Sequence, residues 1–316
     1  APNTLSAIPS LLLSKDIPGD ADVNLDSRPV QVRFNGCSQF VALNSEPNVF
    51  QRARDLGANT AVAGWYHPYC RLFGKDLSTC ASAVGAETGI AILQELLRDR
   101  GFLAKAAYLA NWQARVLPLE QRLAWVSPMP SEDAYLRQVI TDKLRRVLNA
   151  QARMLKNPDL DFVFLHIPSP HPPGIWDTQR QTFATDARLD YIDNLELADH
   201  ILGRIRRLLE QTGDWNRSTI LVSSDHPYRP NHWLTVRALP VPAEMHQLTH
   251  MRWQPYIPFF LKLPGQKTGV GYHREFNSVL SANLLLAALQ GKIRTPAQAV
   301  QWLNAHAAAS EEKVCR

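Results

Sequence analysis

No apolar run in the sequence is long enough to cross a bilayer. The longest, such as Leu11 to Leu13 and Leu284 to Leu289, fall far short of the roughly 18 to 20 residues a spanning helix needs. The first residues lack the charged and apolar regions of a signal peptide, and they begin at Ala1 rather than Met, which predicts a processed or N-terminally truncated chain. Charged residues make up only 20% and form no run of one sign, which excludes an acidic solvating chain, a coiled coil and a collagen-like fibre. The four cysteines, Cys37, Cys70, Cys80 and Cys315, contain no CxxC pair, so a structural zinc site is not expected. Cys70 and Cys80 either close a short loop as a disulfide in an oxidising compartment or stay as buried thiols; their spacing fits both. No repeat or low-complexity tract is visible. The net charge of +5 is spread over residues such as Arg145, Arg146, Arg204, Arg206 and Arg207, too diffusely for nucleic acid.

What remains is a 316-residue globular chain with 45% hydrophobic residues, enough for a full core. Helix patterns cover Thr4 to Ser14, with Pro9 placed in a first turn, Asn48 to Leu56, Thr88 to Arg100 and Ser131 to Leu155. The 131–155 helix carries Leu136, Val139, Ile140, Leu144 and Leu148 on one face. A further helix over Tyr191 to Gln211 carries Leu195, Ala198, Leu202, Ile205 and Leu209, and Phe276 to Leu289 and Pro296 to Ala307 close the chain. Between them, Asn59 to Trp65 reads as a small-residue strand. Asp161 to Ile167, Thr219 to Ser223 and Tyr256 to Leu263 read as buried strands. Buried strands separated by long helices predict an α/β fold whose 161–167, 219–223 and 256–263 strands are parallel neighbours joined by helical crossovers. Ligands in such sheets gather beyond the carboxyl ends of the strands. Two polar loops leave those ends, from Pro168 to Gly174 and from Asp225 to His232.

Three groups of residues can carry chemistry. Asp225 and His226 follow a strand directly, where the chain turns and both side chains can reach one divalent metal; the alternative is an Asp that caps the turn beside a packed His. The proline-rich loop after His166 can fix His171 at the sheet edge with little loss of entropy, whereas His166 itself has the position of a core histidine. Thr4 opens a helix, as a cap or as a nucleophile favoured by the helix dipole.

Together these residues resemble the alkaline phosphatase superfamily, in the sulfatase-like branch that includes phosphoethanolamine and phosphoglycerol transferases. In that branch a Thr opens a helix in a T-x-x-S-x-P-like segment, which Thr4, Ser6 and Pro9 approximate with Ser6 one residue early. His166 and His171 keep an H-x-x-x-x-H spacing before Pro172. Tyr191 and Asp193 open a helix leading to a strand that ends Ser224–Asp225–His226, and Ile257–Pro258–Phe259 enters a later strand. The resemblance covers nearly the whole chain, read as one domain over 1–316, most specifically residues 160 to 265.

The resemblance implies a three-layer α/β/α sandwich with a mostly parallel central sheet that lacks its first strand. It implies one or two divalent ions (zinc, manganese, magnesium or calcium) held by Asp225, His226 and Thr4. Thr4 is then the nucleophile of a phospho-enzyme and His171 the proton donor, with His67, Arg71 and His232 toward the substrate; the alternative for His67 and Arg71 is an aromatic packing loop. His246 and His250 share the region of His232. The implied substrate is an anionic small molecule, lipid head group or envelope glycan, acted on as a phosphate ester outside the cytoplasm, in the periplasm, by a protein anchored to the membrane through a missing N-terminal part. The residues from Thr4 to Ala7 lack the C/S-x-P-x-R pattern of formylglycine sulfatases, which places sulfuric ester hydrolysis behind phosphorus chemistry. No acidic strand end precedes Ala1, a departure that favours a second possibility, a non-catalytic domain that binds an anionic glycan or partner.

Overall fold

The computed structural model describes residues 3–24, 27–84, 132–185, 188–229, 233 and 256–307. Helix α1 (Thr4–Leu13) is capped by Asn3, whose side chain accepts from the backbone N–H of Ser6. Pro9 therefore lies inside the helix rather than in its first turn. The helix tolerates the missing donor because it buries Ile8, Leu12 and Leu13, and apolar burial outweighs one lost hydrogen bond. The short strands β1 (Val23–Asn24), β2 (Gln31–Val32) and β3 (Val41–Ala42) then form a small antiparallel sheet. Helix α2 (Val49–Asp55) is capped by Asn48, and it leads into β4 (Thr60–Tyr66).

Strand β4 is the axis of the site. It lies between β5 (Thr79–Val84) and β6 (Phe162–His166), parallel to both. Short helix α3 (Tyr69–Phe73) connects β4 toward β5, and the Cys70–Cys80 disulfide, with a Cα separation of 5.6 Å, ties the two. Alternation along β4 sends Val62 to a core with α1, α2 and Phe50, while Ala61, Ala63 and Trp65 face a second core. That second core is built from α4 (Glu132–Met154) and α5 (Tyr191–Gln211). Helices on both faces of a parallel sheet make the three-layer α/β architecture. Helix α4 buries Val139, Ile140, Leu144 and Leu148, the face its periodicity predicts.

Helix α5 has the predicted bounds but a different buried face. Asn194, Leu197, Ile201 and Leu209 are buried, whereas Leu195 and Leu202 are 46% and 38% exposed. The helix carries two apolar stripes, and the one that contains the Asn194 clamp described below turns inward.

The topology of the later strands differs from the expectation. β6 pairs with β4, not with β9 (Ile220–Ser223), and β9 pairs antiparallel with β10 (Phe259–Lys262), Ser223 opposite Phe259. The chain re-enters at the end where β9 finishes, and an antiparallel pair needs no helical crossover. Both β6 and β9 are half-buried rather than fully covered, since β6 borders the described three-stranded sheet while central β4 takes the buried place. Between β6 and α5 lies the small pair β7 (Trp176–Asp177) and β8 (Thr182–Phe183). Helices α6 (Ser281–Leu289), preceded by a 3-10 turn at Ser278–Leu280, and α7 (Pro296–His306) are the last of the described elements. The helix expected over Thr88 to Arg100 lies outside the described residues. No helix among the described residues is long and apolar enough to cross a membrane.

Candidate active site

Because Asn3 takes the capping role, the Thr4 hydroxyl is free for another partner. Thr4 is buried, and its Oγ1 donates to Asp225 Oδ2 at 2.6 Å, joining the first turn of α1 to the loop after β9 across 221 residues. His226 Nε2 stands 3.8 Å from the same Oδ2. The His226 ring is oriented at both nitrogens: Nδ1–H donates to the carbonyl of Pro227 at 2.8 Å, and Nε2 accepts from Arg229 Nη2 at 3.1 Å.

The floor of the site comes from the end of β4. Tyr66 adopts φ of 76°, a left-handed conformation that costs a non-glycine residue strain, and the turn it makes sends His67 beneath α1. His67 Nε2 lies 3.0 Å from the Thr4 carbonyl, to which it donates, while Nδ1 is buried with no partner among the described residues. Burial pushes the imidazole down to about 4, against the opposing pull of the hydrogen bond to Thr4. Two residues on, Tyr69 packs its ring over Gly64, where a Cβ would meet Tyr69 Cε2 at 2.4 Å, and its hydroxyl reaches His166 Nδ1 at 2.6 Å. Burial lowers the pKa of His166 and raises that of Tyr69, so Tyr69 is the donor and His166 the neutral acceptor. Burial alone would push Asp225 up. Electrostatic interaction with the imidazoles of His166 and His226, together with the hydrogen bond from the Thr4 hydroxyl, more than reverses it, leaving a carboxylate below its ordinary range.

His171 sits in the proline-rich loop, its ring edge-on to Trp65 at 4.9 Å, and Trp65 in turn contacts His166 at 6.1 Å. The loop is held by Asn194 of α5, whose Nδ2 donates to the carbonyls of His171 (2.8 Å) and Pro173 (3.0 Å) and whose Oδ1 accepts from Ile175 (2.9 Å). Buried Arg137 of α4 donates to the Gly174 carbonyl.

Thus Thr4, Asp225 and His226 meet directly, with His67 and His166 against them, and His171 stands one aromatic ring away. Arg71 is exposed on α3, and no contact among the described residues joins it to Thr4 or Asp225. His232, His246 and His250 lie outside the described residues. Sequence reasoning gives Tyr69 no role of its own, because in the aromatic-rich segment from Trp65 to Tyr69 a packing tyrosine and a site tyrosine read alike. It also misses Arg229, although that residue stands in the polar loop at the end of a strand.

The donors can be tested against a divalent ion. Two ligands each about 2.0 to 2.2 Å from one ion lie no more than roughly 4.4 Å apart, and the 3.8 Å between Asp225 and His226 falls inside that limit. Asp225, His226 and the Thr4 hydroxyl fit part of a coordination shell. Among the described residues no group of three or more His, Cys, Asp or Glu stands close enough to complete it.

A helix-borne hydroxyl facing an Asp–His pair at the end of a three-layer α/β fold defines a class, and comparison gives its family. Residues 37–288 match the sulfatase family model. The chain belongs to the sulfatase family, in the sulfatase-like branch of the alkaline phosphatase superfamily. No curated protein sequence matches it. Among solved structures, Ps i-CgsB in complex with k-i-k-neocarrahexaose is 10% identical with a TM-score of 0.52, and Ps i-CgsB alone is 11% identical with a TM-score of 0.53. In both, 98% of this chain aligns with 66% of the other, so the chain spans slightly less than two thirds of their length. The phosphonate monoester hydrolase SpPMH from Silicibacter pomeroyi is 13% identical over 99% of this chain and 69% of its own, with a TM-score of 0.49. At these identities the likeness to Ps i-CgsB speaks to the fold.

Proposed function

We propose that the chain hydrolyses or transfers phosphate esters through Thr4. The observation that carries this reading is the 2.6 Å hydrogen bond from Thr4 Oγ1 to Asp225 Oδ2, a buried hydroxyl at a helix N-terminus paired with an ionised carboxylate. Asp225 Oδ2 takes the Thr4 proton as Oγ1 attacks phosphorus. The Oγ–P bond forms, the P–O bond to the departing alcohol breaks, and His171 protonates the departing oxygen. Water or an acceptor alcohol then attacks phosphorus, giving its proton to the now neutral His171, and Thr4 Oγ1 leaves with the proton that Asp225 had taken. The N–H groups of the first turn of α1 face the anion that accumulates there. Arg229, held at His226, supplies positive charge beside the same atoms. His67, neutral at physiological pH, holds the Thr4 carbonyl and so fixes the first residue of the helix.

Asp225 and the Thr4 hydroxyl, with His226 once its Nε2 is released from Arg229, would hold a divalent ion of the kind the resemblance implies (zinc, manganese, magnesium or calcium). Such an ion would supply further positive charge at the nucleophilic oxygen.

The substrate class is an anionic lipid head group or glycan carrying a phosphate ester, and the place of action is outside the cytoplasm, on a membrane-anchored protein. The Cys70–Cys80 disulfide supports an oxidising compartment. A second reading, a non-catalytic domain that binds an anionic glycan, is favoured by the ligand set, which stops short of three acidic or imidazole groups among the described residues.

Turnover of bis(4-nitrophenyl) phosphate against 4-nitrophenyl sulfate, with metal content measured on the same sample, separates these readings. The proposal expects diester turnover that Asp225→Asn reduces at least a hundredfold. Faster sulfate turnover would replace phosphorus with sulfur as the substrate atom. Full metal occupancy with no turnover of either ester would favour the binding domain.

A further inference from the structure

A cavity lies away from Thr4. It has a volume of about 450 Å³, within the range of roughly 300 to 1,000 Å³ typical of small-molecule sites. Its walls come from the end of α2, from α6 with the turn that follows it, and from α7. Asp55 and Leu56 of this lining precede the amino end of β4, whereas His67 and the Thr4 cluster lie beyond its carboxyl end.

The charged part of the lining is unbalanced. Arg52 is half-buried, and its Nη1 donates to Asn283 Oδ1 at 2.7 Å, which fixes the guanidinium plane and leaves its other donors toward the cavity. No carboxylate among the described residues forms an ion pair with Arg52, although Asp55 is on the same wall. Burial without a counter-charge lowers the pKa of Arg52, a desolvation cost that a bound anion would offset. Lys292, exposed at the mouth, is a second cation without an ion pair among the described residues.

The uncharged part of the lining combines two chemistries. Leu56, Leu286 and Trp302 give an apolar wall, and Trp302 is braced by His306, stacked at 4.1 Å. The amides of Asn283 and Gln290 give hydrogen-bonding positions between them. A fatty chain would leave those amides without partners, and a bare inorganic anion would leave the indole wall uncovered. A sugar ring presents C–H faces and hydroxyls together, which satisfies both.

We propose that this cavity binds an acidic saccharide, a sugar bearing a sulfate, phosphate or carboxylate group, with Arg52 and Lys292 on the anionic group and the wall at Trp302 against the ring. The proposal does not rest on the chemistry at Thr4. The site would hold a polymeric or membrane-linked glycan at a distance from the cleft and raise its local concentration there.

Calorimetric titration of the full chain with a sulfated hexasaccharide, an oligogalacturonate, neutral maltohexaose and inorganic sulfate tests it. At least one acidic saccharide is expected to bind at least tenfold more tightly than maltohexaose and inorganic sulfate, and preference between the two acids reports the anionic group. Lys292→Met and Arg52→Met should each weaken that binding at least fivefold. Lys292 is exposed, so its variant should fold normally and keep wild-type turnover of bis(4-nitrophenyl) phosphate. Binding unchanged in Lys292→Met, equal affinity for maltohexaose, or no binding of either acidic saccharide would overturn the assignment.

Discussion

Asn194 on α5 holds the backbone of His171 across 23 residues, donating to its carbonyl at 2.8 Å while also binding Pro173 and Ile175. The helix that packs on the sheet thereby sets the course of the loop that carries a candidate proton donor. Asn194→Ala removes three hydrogen bonds in a fully buried position. It should cost about 2 to 4 kcal/mol, because the freed loop groups stay buried without partners. Urea unfolding checks this; an unchanged midpoint would show that the prolines alone fix the loop.

Gly64 admits the Tyr69 ring, and the ring brings a hydroxyl to His166. Gly64→Ala places a Cβ 2.4 Å from that ring and should destabilise the protein by about 1 to 3 kcal/mol as Tyr69 is displaced. Tyr69→Phe keeps the packing but frees His166 Nδ1, so it should change the catalytic pH profile more than stability. Equal stability of Gly64→Ala and wild type would show that α3 shifts without strain.

The Cys70–Cys80 bridge closes a loop of sequence separation 10 between α3 and β5. Reduction, or the double change of both residues to Ser, should cost roughly 2 to 3 kcal/mol by chain entropy. Thermal melts with and without dithiothreitol report it. A melting point insensitive to reductant, in a sample whose thiols are shown to be released, would contradict it.

His67 ties stability to pH. Its folded-state value of about 4 lies below the ordinary 6.5, so the unfolded chain binds a proton more readily. The stabilisation from neutral His67 is complete above about pH 6.5 and is lost as the pH falls toward 4, up to about 3 kcal/mol in all. His67→Gln can still donate to the Thr4 carbonyl but does not titrate. Unfolding midpoints between pH 7 and pH 4.5 should fall less steeply in the variant; parallel slopes would assign the pH sensitivity to other groups.

Much of this is legible in local sequence. The α5 bounds, the β4 strand and the proline loop follow from periodicity and turn chemistry, and the Asp225–His226 pair is marked by its place at a strand end. What escapes is set by long-range packing. Thr4 fits a helix cap as well as a nucleophile in sequence, and only the backbone course that gives Asn3 the capping role frees its hydroxyl for Asp225. Leu195 with Leu202 and Leu197 with Ile201 both keep helical spacing, so periodicity alone does not choose between the two stripes. The Asn194 clamp decides which one turns inward. The antiparallel return of β10 onto β9 depends on where the intervening chain turns, which strand patterns do not encode. Tyr69 reaches the site through a missing Cβ at Gly64, a relation between two residues that neither announces alone.

The central claim is that Thr4 Oγ1 is the nucleophile. Its most direct test is acid quenching during bis(4-nitrophenyl) phosphate turnover, followed by peptide mass spectrometry across Asn3 to Lys15. The account predicts an aryl-phosphoryl adduct on Thr4, a burst of nitrophenolate matching the protein concentration, and loss of both in Thr4→Ala. Turnover that persists in Thr4→Ala, with no adduct in the wild type, would contradict it and make water the direct attacker.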